Sequence, residues 1–247
     1  MKLLVKKYFN FAGQFSSKIS SGFSNREHGN MSVFYGDTKK TLLNRNNFLD
    51  SLGIKPKNLV SVEQVHGSNI KCITKEDKVN GVFIHLDSIP KTDGLLTDIK
   101  RLALAIFTAD CPSIFLYDPL SSAVGLIHAG WRSTKEGIGV KAIKLMQMKF
   151  KTKPEELFVG FGPCIRSCCY EVSRDFGNYF PDELIERNGK FYLDLVRVNS
   201  NQLFSLGVRK ENIFDAESCT SCERNDFFSY RVEGKDCGRQ MSVVMLK

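Results

Sequence analysis

The sequence predicts a chain that mixes helices with sheet strands, on three observations. Short apolar runs bounded by turn residues recur along it, as buried strands do. Two longer stretches, Thr38 to Leu52 and Thr134 to Phe150, carry apolar residues at helical spacing. The most apolar segment, L-A-L-A-I-F-T-A-D-C-P-S-I-F-L-Y-D-P-L-S-S-A-V-G-L-I-H-A-G-W-R (Leu102 to Arg132), reads as three successive strands and also holds the most reactive residues.

Bulk properties set the outer bounds. A chain of 247 residues, 42% of them hydrophobic, has ample material for a core and makes one large domain or two small ones. The net charge of +8 is compatible with nucleic acid, with an anionic small substrate, or with no charged partner at all. Its lysines are scattered and form no nucleic-acid motif, so no nucleic-acid partner is expected. Lys6 and Lys7 interrupt the apolar N-terminus, whose run is too short for a signal peptide. No stretch approaches the length of a membrane span, and the eight scattered Cys do not form the framework of a small secreted scaffold. The expectation is a cytoplasmic protein with reduced thiols and no membrane contact.

Residues 1 to about 35 read as strands and loops. Within them the polar turn from Ser21 to Gly29 offers Arg26 as an anion contact. Thr38 to Leu52 is a helix that Gly53 stops. Leu59 to Val65 is a strand running into His66-Gly67, and Asn69 to Thr74 continues as a strand. His85, in the alternating run G-V-F-I-H-L, is structural. Lys91 to Thr97 is a turn into a further strand.

Leu102 to Thr108, Ser113 to Tyr117 and Ala123 to Ala129 follow as strands. Asp118-Pro119-Leu120-Ser121-Ser122 is turn chemistry, so the last two form a hairpin. Thr134 to Phe150 is one helix whose Met pair belongs to the core. Leu157 to Phe161 is a strand, Glu171 to Phe180 and Leu195 to Leu206 are helices, the second closed by Gly207, and Ile213 to Ala216 and Met241 to Leu246 are late strands.

The hairpin carries the first functional signal. Cys111 opens one strand and His128 ends the other, so the pairing brings a thiol beside an imidazole. An isolated buried Cys and His are most often structural. Pro112 and Gly130-Trp131-Arg132 are chain breaks beside both residues, and such breaks at strand ends are where sites are built. The pair has two chemical readings: a metal site for a borderline-soft ion such as zinc, or a cysteine nucleophile with a histidine base. His66, at another strand end followed by Gly, adds a third donor. Three protein ligands with one open position is the pattern of catalytic zinc.

The remaining cysteines include Cys164, Cys168 and Cys169 in one cluster and a C-x-x-C at Cys219 and Cys222. Four of these would make a second, structural zinc site, and a C-x-x-C is also a redox pattern. Ordinary reduced thiols are the expectation.

Several motifs now stand in order: Q-V-H-G (Gln64 to Gly67), T-D-G-L-L-T (Thr92 to Thr97), T-A-D-C-P-S-I-F-L-Y-D-P (Thr108 to Pro119), G-L-I-H-A-G-W-R (Gly125 to Arg132), G-P-C-I (Gly162 to Ile165), Y-E-V (Tyr170 to Val172), L-D-L…N-x-x-Q-L (Leu193 to Leu203) and F-F-S-Y-R (Phe227 to Arg231). From about Gly22 to Leu246 the chain resembles the purine nucleoside phosphorylase family of laccase-domain proteins, whose members have also been labelled polyphenol oxidases and peptidoglycan-editing factors. The resemblance implies an α+β fold over residues 1–247 as a single domain, with mixed β-sheets sandwiched between helices in α/β/β/α layers. It implies a catalytic zinc on His66, Cys111 and His128. It also implies phosphorolysis of purine nucleosides (adenosine, inosine, guanosine, methylthioadenosine) by phosphate, with deamination of adenosine as a second activity. Arg26, Gln64 and Arg132 are the expected substrate contacts. Two departures bear on substrate preference: Arg26 is followed by Glu27-His28 where the family has two glycines, and Arg231 is followed by Val232 where it has a second arginine.

Zinc would activate a water against C6 of adenine, or orient phosphate toward the ribose, with Asp110 or a water as proton donor to the leaving purine. A multicopper site needs a blue-copper centre and a further copper cluster rich in imidazoles, and four His cannot supply both. Copper can still occupy the single site, so a copper-dependent polyphenol oxidase is one alternative. A Cys111/His128 hydrolase acting on an amide in a nucleotide-bearing peptidoglycan precursor is another, and a ligand-binding scaffold without catalysis ranks last.

Overall fold

The computed structural model describes residues 11, 13–34, 36–74 and 88–247. The reading of residues 1–10 and of His85 lies outside them. In chain order the first elements are β1 (Ile19–Phe23), α1 (Thr38–Ser51), β2 (Leu59–Val60), β3 (Ile70–Cys72), β4 (Gly94–Thr97) and β5 (Ala103–Thr108). Then come β6 (Ser113–Asp118), β7 (Ala123–His128), α2 (Trp131–Lys135), α3 (Ile138–Phe150) and β8 (Phe158–Phe161). The last are β9 (Glu171–Val172), β10 (Leu184–Arg187), β11 (Lys190–Leu193), α4 (Leu195–Phe204), β12 (Ile213–Asp215), α5 (Tyr230–Glu233) and β13 (Gln240–Leu246).

The strands form a four-stranded sheet β1-β13-β5-β2, a six-stranded sheet β12-β8-β6-β7-β4-β3, and a small three-stranded sheet β10-β11-β9. The alternation of side chains along β5 shows why the two larger sheets stack. Leu104 and Ile106 pack with Phe115, Tyr117, Val124 and Leu126 of the other sheet. Ala103 and Ala105 point the opposite way, toward Phe48 and Leu49 of α1. The outer face of the six-stranded sheet, including Ile114, Leu116 and Ile127, packs under Ile138, Ala142, Ile143 and Met146 of α3 and Val196 and Leu203 of α4. The layer order is therefore α/β/β/α, each sheet buried on both faces.

The β6–β7 hairpin forms as expected, with Ser113 opposite His128. Its turn is held by Asp118, whose carboxylate accepts from the backbone N–H of Leu120 (2.9 Å) and Ser121 (3.1 Å) and from the Ser121 hydroxyl (2.6 Å).

Four expectations are corrected. The helix over 134–150 is two helices, because Gly137 at φ 69° turns the chain into the left-handed region between α2 and α3. Of its methionines Met146 is buried, whereas Met148 is 66% exposed. The strand over 59–65 is only β2; beyond it a single bridge, Val62 to Ile89, continues the pairing before the chain turns at His66. The helix over 171–180 is instead β9 and a five-residue 3-10 helix, Arg174–Asn178. The β10–β11 hairpin was missed. Asn188-Gly189, with φ of 52° and 72°, is its turn and a strong hairpin signal in the sequence.

The N-x-x-Q motif has a structural role. Asn199 Nδ2 donates to Thr134 Oγ1 (3.0 Å) and Gln202 Nε2 to the Thr134 carbonyl (3.1 Å), which clamps α4 to the short α2. Asp194 caps α4 through the N–H groups of Val196 and Arg197.

Candidate metal centre

His66, Cys111 and His128 come from three separate segments and converge, their ligand atoms all within 4.8 Å of one another. The two imidazoles stand edge to face, 4.7 Å between centroids at 81°. Register explains two of the three placements. His128 ends β7 opposite Ser113, and the Ala129 N–H donates to the Pro112 carbonyl (2.9 Å), which fixes Cys111 beside it.

His66 is held differently. It lies at φ 58°, uncommon for a residue with a side chain, and a buried carboxylate stabilises that conformation. Asp93, 0% exposed, accepts from the backbone N–H groups of Val65 (3.2 Å), His66 (2.9 Å) and Gly67 (2.8 Å). The same carboxylate bonds His128 Nδ1 at 2.8 Å. That contact keeps the proton on Nδ1, so when the imidazole is neutral its lone pair is on Nε2, the tautomer a ligand or a base requires. Asp93 is the candidate site residue the sequence reading missed. The signal was present in T-D-G-L-L-T, where an Asp precedes a strand that pairs with the one bearing His128: Gly94 lies opposite Ile127.

Burial pushes the Asp93 carboxyl up, but the hydrogen bond to His128, its charge and the backbone donors outweigh it and hold the carboxyl below its ordinary value. Burial also raises the Cys111 thiol, yet the charges and hydrogen bonds of His128 and His66 bring it down to about 6. Burial lowers His128, and Cys111 and Asp93 overcome that to raise it to about 9. Without metal, then, thiolate and imidazolium coexist between about pH 6 and 9. The Cys111 contribution to stability is complete only above the ordinary thiol value and fades as pH falls through about 6. The His128 contribution is complete below the ordinary imidazole value and fades as pH rises through about 9. The metal-free protein should alkylate at Cys111 with a rate midpoint near pH 6, read by mass mapping of its peptide. His128→Ala should move that midpoint above pH 7. An unmoved midpoint would remove His128 as its cause.

Gly130 makes room for the centre. A Cβ there would lie 3.1 Å from His66 Cδ2 and 3.3 Å from Cys111 Sγ. Two nitrogens and one thiolate sulfur so arranged are donors zinc takes, and they leave a fourth position open. The centre lies on the wall of a cavity of about 790 Å³, also lined by Gln64, Trp131, Arg132, Tyr170, Arg231 and Arg239. Asp110, at φ 87°, joins the loops around it. One of its oxygens accepts from the Thr220 hydroxyl (2.7 Å) and the other from the Arg231 N–H (2.7 Å). Both oxygens accept a hydrogen bond, so Asp110 positions these loops.

The expected substrate contacts separate. Arg132 lines the cavity, stacked over Trp131 at 4.3 Å. Gln64 lines it too, but its amide is spent on the backbone of Phe107, donating to the carbonyl and accepting from the N–H at 2.8 Å each. Arg26 is not on the cavity wall. It pairs with Glu233 (2.7 Å), donates to the carbonyls of Arg224 and Phe227, and stacks on Phe228. It thereby ties β1 to the α5 segment, and the cavity's cations are Arg132, Arg231, Arg239 and Arg45. Their charge could not be ranked from sequence, because they come from four separate elements or loops.

A two-sheet sandwich with a Cys/His/His corner and a basic cavity defines a class of proteins, and comparison places the chain within it. The chain belongs to the family described as multi-copper polyphenol oxidoreductase laccase, whose model matches residues 14–247. It is 34% identical over 225 residues to the purine nucleoside phosphorylase YlmD of Geobacillus stearothermophilus, covering 87% of this chain and 82% of that one. It is 31% identical to YlmD of Bacillus subtilis, over 83% and 76% of the two chains. Among solved structures, the hypothetical protein YfiH of Bacillus licheniformis superposes with a TM-score of 0.87 at 30% identity, over 96% of this chain and 94% of that one. YlmD from G. stearothermophilus superposes equally well, 0.87 at 32% identity over 93% and 92%. The names of these relatives support an enzyme, and in this chain His66, Cys111 and His128 form a site that could hold a metal ion. No helix among the described residues is long and apolar enough to cross a membrane.

Proposed function

We propose that this chain is a zinc-dependent purine nucleoside phosphorylase, with residues 1–247 as one domain. The observation that carries the reading is the convergence of His66, Cys111 and His128 on the wall of a large basic cavity. The name shared by its relatives supplies the substrate class. When bound, zinc supplies Lewis acidity at the cavity wall.

The chain's own residues do the rest. Arg132, Arg231 and Arg239 give the cavity the cationic charge that phosphate needs. Trp131, Tyr170 and Tyr230 offer aromatic surface to a purine. Asp93 holds the His128 tautomer and the His66 turn, so the donor set is preorganised. Asp110 anchors the loops of Thr220 and Arg231, and the proton for the departing base comes from a water. Deamination of adenosine is the second activity of the same cavity.

Copper chemistry of the multicopper kind is not supported. Of the described His, His66 and His128 are in the one centre, and His28 accepts from the Asn25 N–H at 3.2 Å elsewhere. A copper ion in the single site remains compatible with its donors.

One observation favours a second reading. Cys111, His128 and Asp93 also line up as nucleophile, base and orienting carboxylate, the arrangement of a cysteine hydrolase acting on an amide. A chelator that abolishes turnover supports zinc. Abolition by a thiol alkylator in metal-free, active protein supports the hydrolase.

The deciding experiment is a product assay on protein of known metal content, with adenosine and inosine, with and without phosphate, beside Cys111→Ser. Free base and ribose phosphate that require phosphate, zinc and Cys111 are expected. Inosine from adenosine without phosphate marks the deaminase. Zinc-loaded protein that yields neither would reject the substrate class. In the same assay Arg132→Ala should raise the KM for phosphate about 10-fold or more, as loss of a charge-assisted contact does. An unchanged KM would take Arg132 out of phosphate binding.

A further inference from the structure

A second thiol cluster lies apart from the centre just described. Cys168 and Cys169 sit in the turn after G-P-C-I, and Cys219 and Cys222 in the C-x-x-C some fifty residues later. Their sulfurs all lie within 4.8 Å of one another. Cys222 Sγ is 3.5 Å from Cys168 Sγ and 3.3 Å from Cys169 Sγ. All four thiols are free, and these separations are well beyond a disulfide bond of about 2.05 Å.

The spacing has a chemical meaning. Four thiolates around one zinc at about 2.3 Å form a tetrahedron whose sulfurs stand about 3.8 Å apart. The ligands of a four-iron cluster must stand farther apart, because the cluster itself lies between them. Neighbouring residues such as Cys168 and Cys169 ordinarily send their side chains apart, yet here both reach the same partner. Cys164, which sequence grouped with this set, is not a member. It is fully buried, and burial raises its thiol well above the ordinary value. It contributes through the backbone instead: the Cys164 N–H donates to the Ser218 carbonyl (3.3 Å) and the Thr220 N–H to the Cys164 carbonyl (3.1 Å), which lays the two cysteine loops side by side.

We propose that Cys168, Cys169, Cys219 and Cys222 bind a structural zinc ion that clamps these two loops together. The clamp borders the cavity on both sides. Tyr170, which follows Cys169, lines the cavity. Thr220, inside the C-x-x-C, donates its hydroxyl to Asp110 beside Cys111. Two of the four thiols are exposed, so an ion can reach them, and once bound it would add to the backbone pairing that aligns the loops.

The test is metal counting on full-length protein purified anaerobically with reductant, by elemental analysis and native mass spectrometry. Cys222→Ser and Cys169→Ser should each lose one zinc relative to the parent chain and keep the zinc lost in Cys111→Ser. Separate losses keep the clamp independent of the His66/Cys111/His128 reading. Cobalt(II) loaded into Cys111→Ser should give the strong thiolate-to-cobalt charge-transfer absorption of a four-sulfur tetrahedral site, a readout that leaves the clamp residues intact if their variants do not fold. Zinc content unchanged by Cys222→Ser, no such absorption, iron in place of zinc, or a mass deficit showing disulfides among these four residues would each overturn the proposal.

Discussion

Asp93→Asn should lower zinc affinity by about 10- to 100-fold or more, the usual range for losing a carboxylate that orients a ligating histidine. The change is isosteric, so the effect isolates hydrogen-bond polarity. All four partners of Asp93 present N–H groups: Val65, His66, Gly67 and His128 Nδ1. An asparagine must turn its own NH2 toward two of them. If it faces Val65 and Gly67, two part-buried donors oppose a donor, at a cost no greater than the roughly 1–3 kcal/mol of a buried lost partner. If it faces His66 and His128, the imidazole must switch tautomer to accept. Nε2 then carries the proton and can no longer ligate. The turn at His66, φ 58°, loses its support in either orientation. Competition titration against a chromophoric chelator reads the affinity, and denaturant melts of the metal-free protein read the stability. Parent-like zinc binding in Asp93→Asn would show that the carboxylate does not orient the site. In the parent, the depressed Asp93 carboxyl contributes stability that is full at neutral pH and fades as the carboxyl is protonated in acid.

Gly130→Val should abolish tight metal binding while leaving the fold intact. Gly130 sits at φ −62° and ψ 170°, a conformation open to any residue, so backbone strain is not the cause. The cause is space. A Cβ alone would press on His66 Cδ2 at 3.1 Å and Cys111 Sγ at 3.3 Å, and valine adds two methyl groups to that corner. Asp93 holds the His66 turn and the Ala129 N–H to Pro112 carbonyl bond holds the chain beside Cys111, so neither side chain makes room without moving its donor atom. The donors therefore separate, and a tetrahedral ion loses one of its protein ligands. Gly130→Ala should show the same effect in milder form, graded with side-chain size. Parent metal content and turnover in Gly130→Val would show that the corner is looser than these distances require.

Much of the fold was legible because it is local. Alternating or continuous apolar runs mark β5, β6 and β7, and the Asp118-Pro119 turn marks their hairpin. That hairpin alone carries Cys111 to His128, since its register follows from its turn. The elements misread are those whose state depends on neighbours. Residues 171–180 have helical spacing but are held by β11 on one side and the Trp131 and Phe180 cluster on the other. Helix 134–150 breaks at Gly137, whose left-handed backbone separates α3 from an α2 that is clamped to α4.

The sequence by itself determined the central strands β5, β6 and β7, the turn of their hairpin and the three candidate donors, because side-chain chemistry and local apolar patterning act over a few residues. Only the tertiary structure decided what those donors meet. It joined Asp93 to three N–H groups of the Val65–Gly67 turn and to His128 across β4 and β7, spent Gln64 on the backbone of Phe107, and turned Arg26 away to Glu233. It also chose Cys169 over Cys164 for the second cluster. Each of these depends on contacts between segments distant in the chain, where burial selects one hydrogen-bond partner among several that sequence permits.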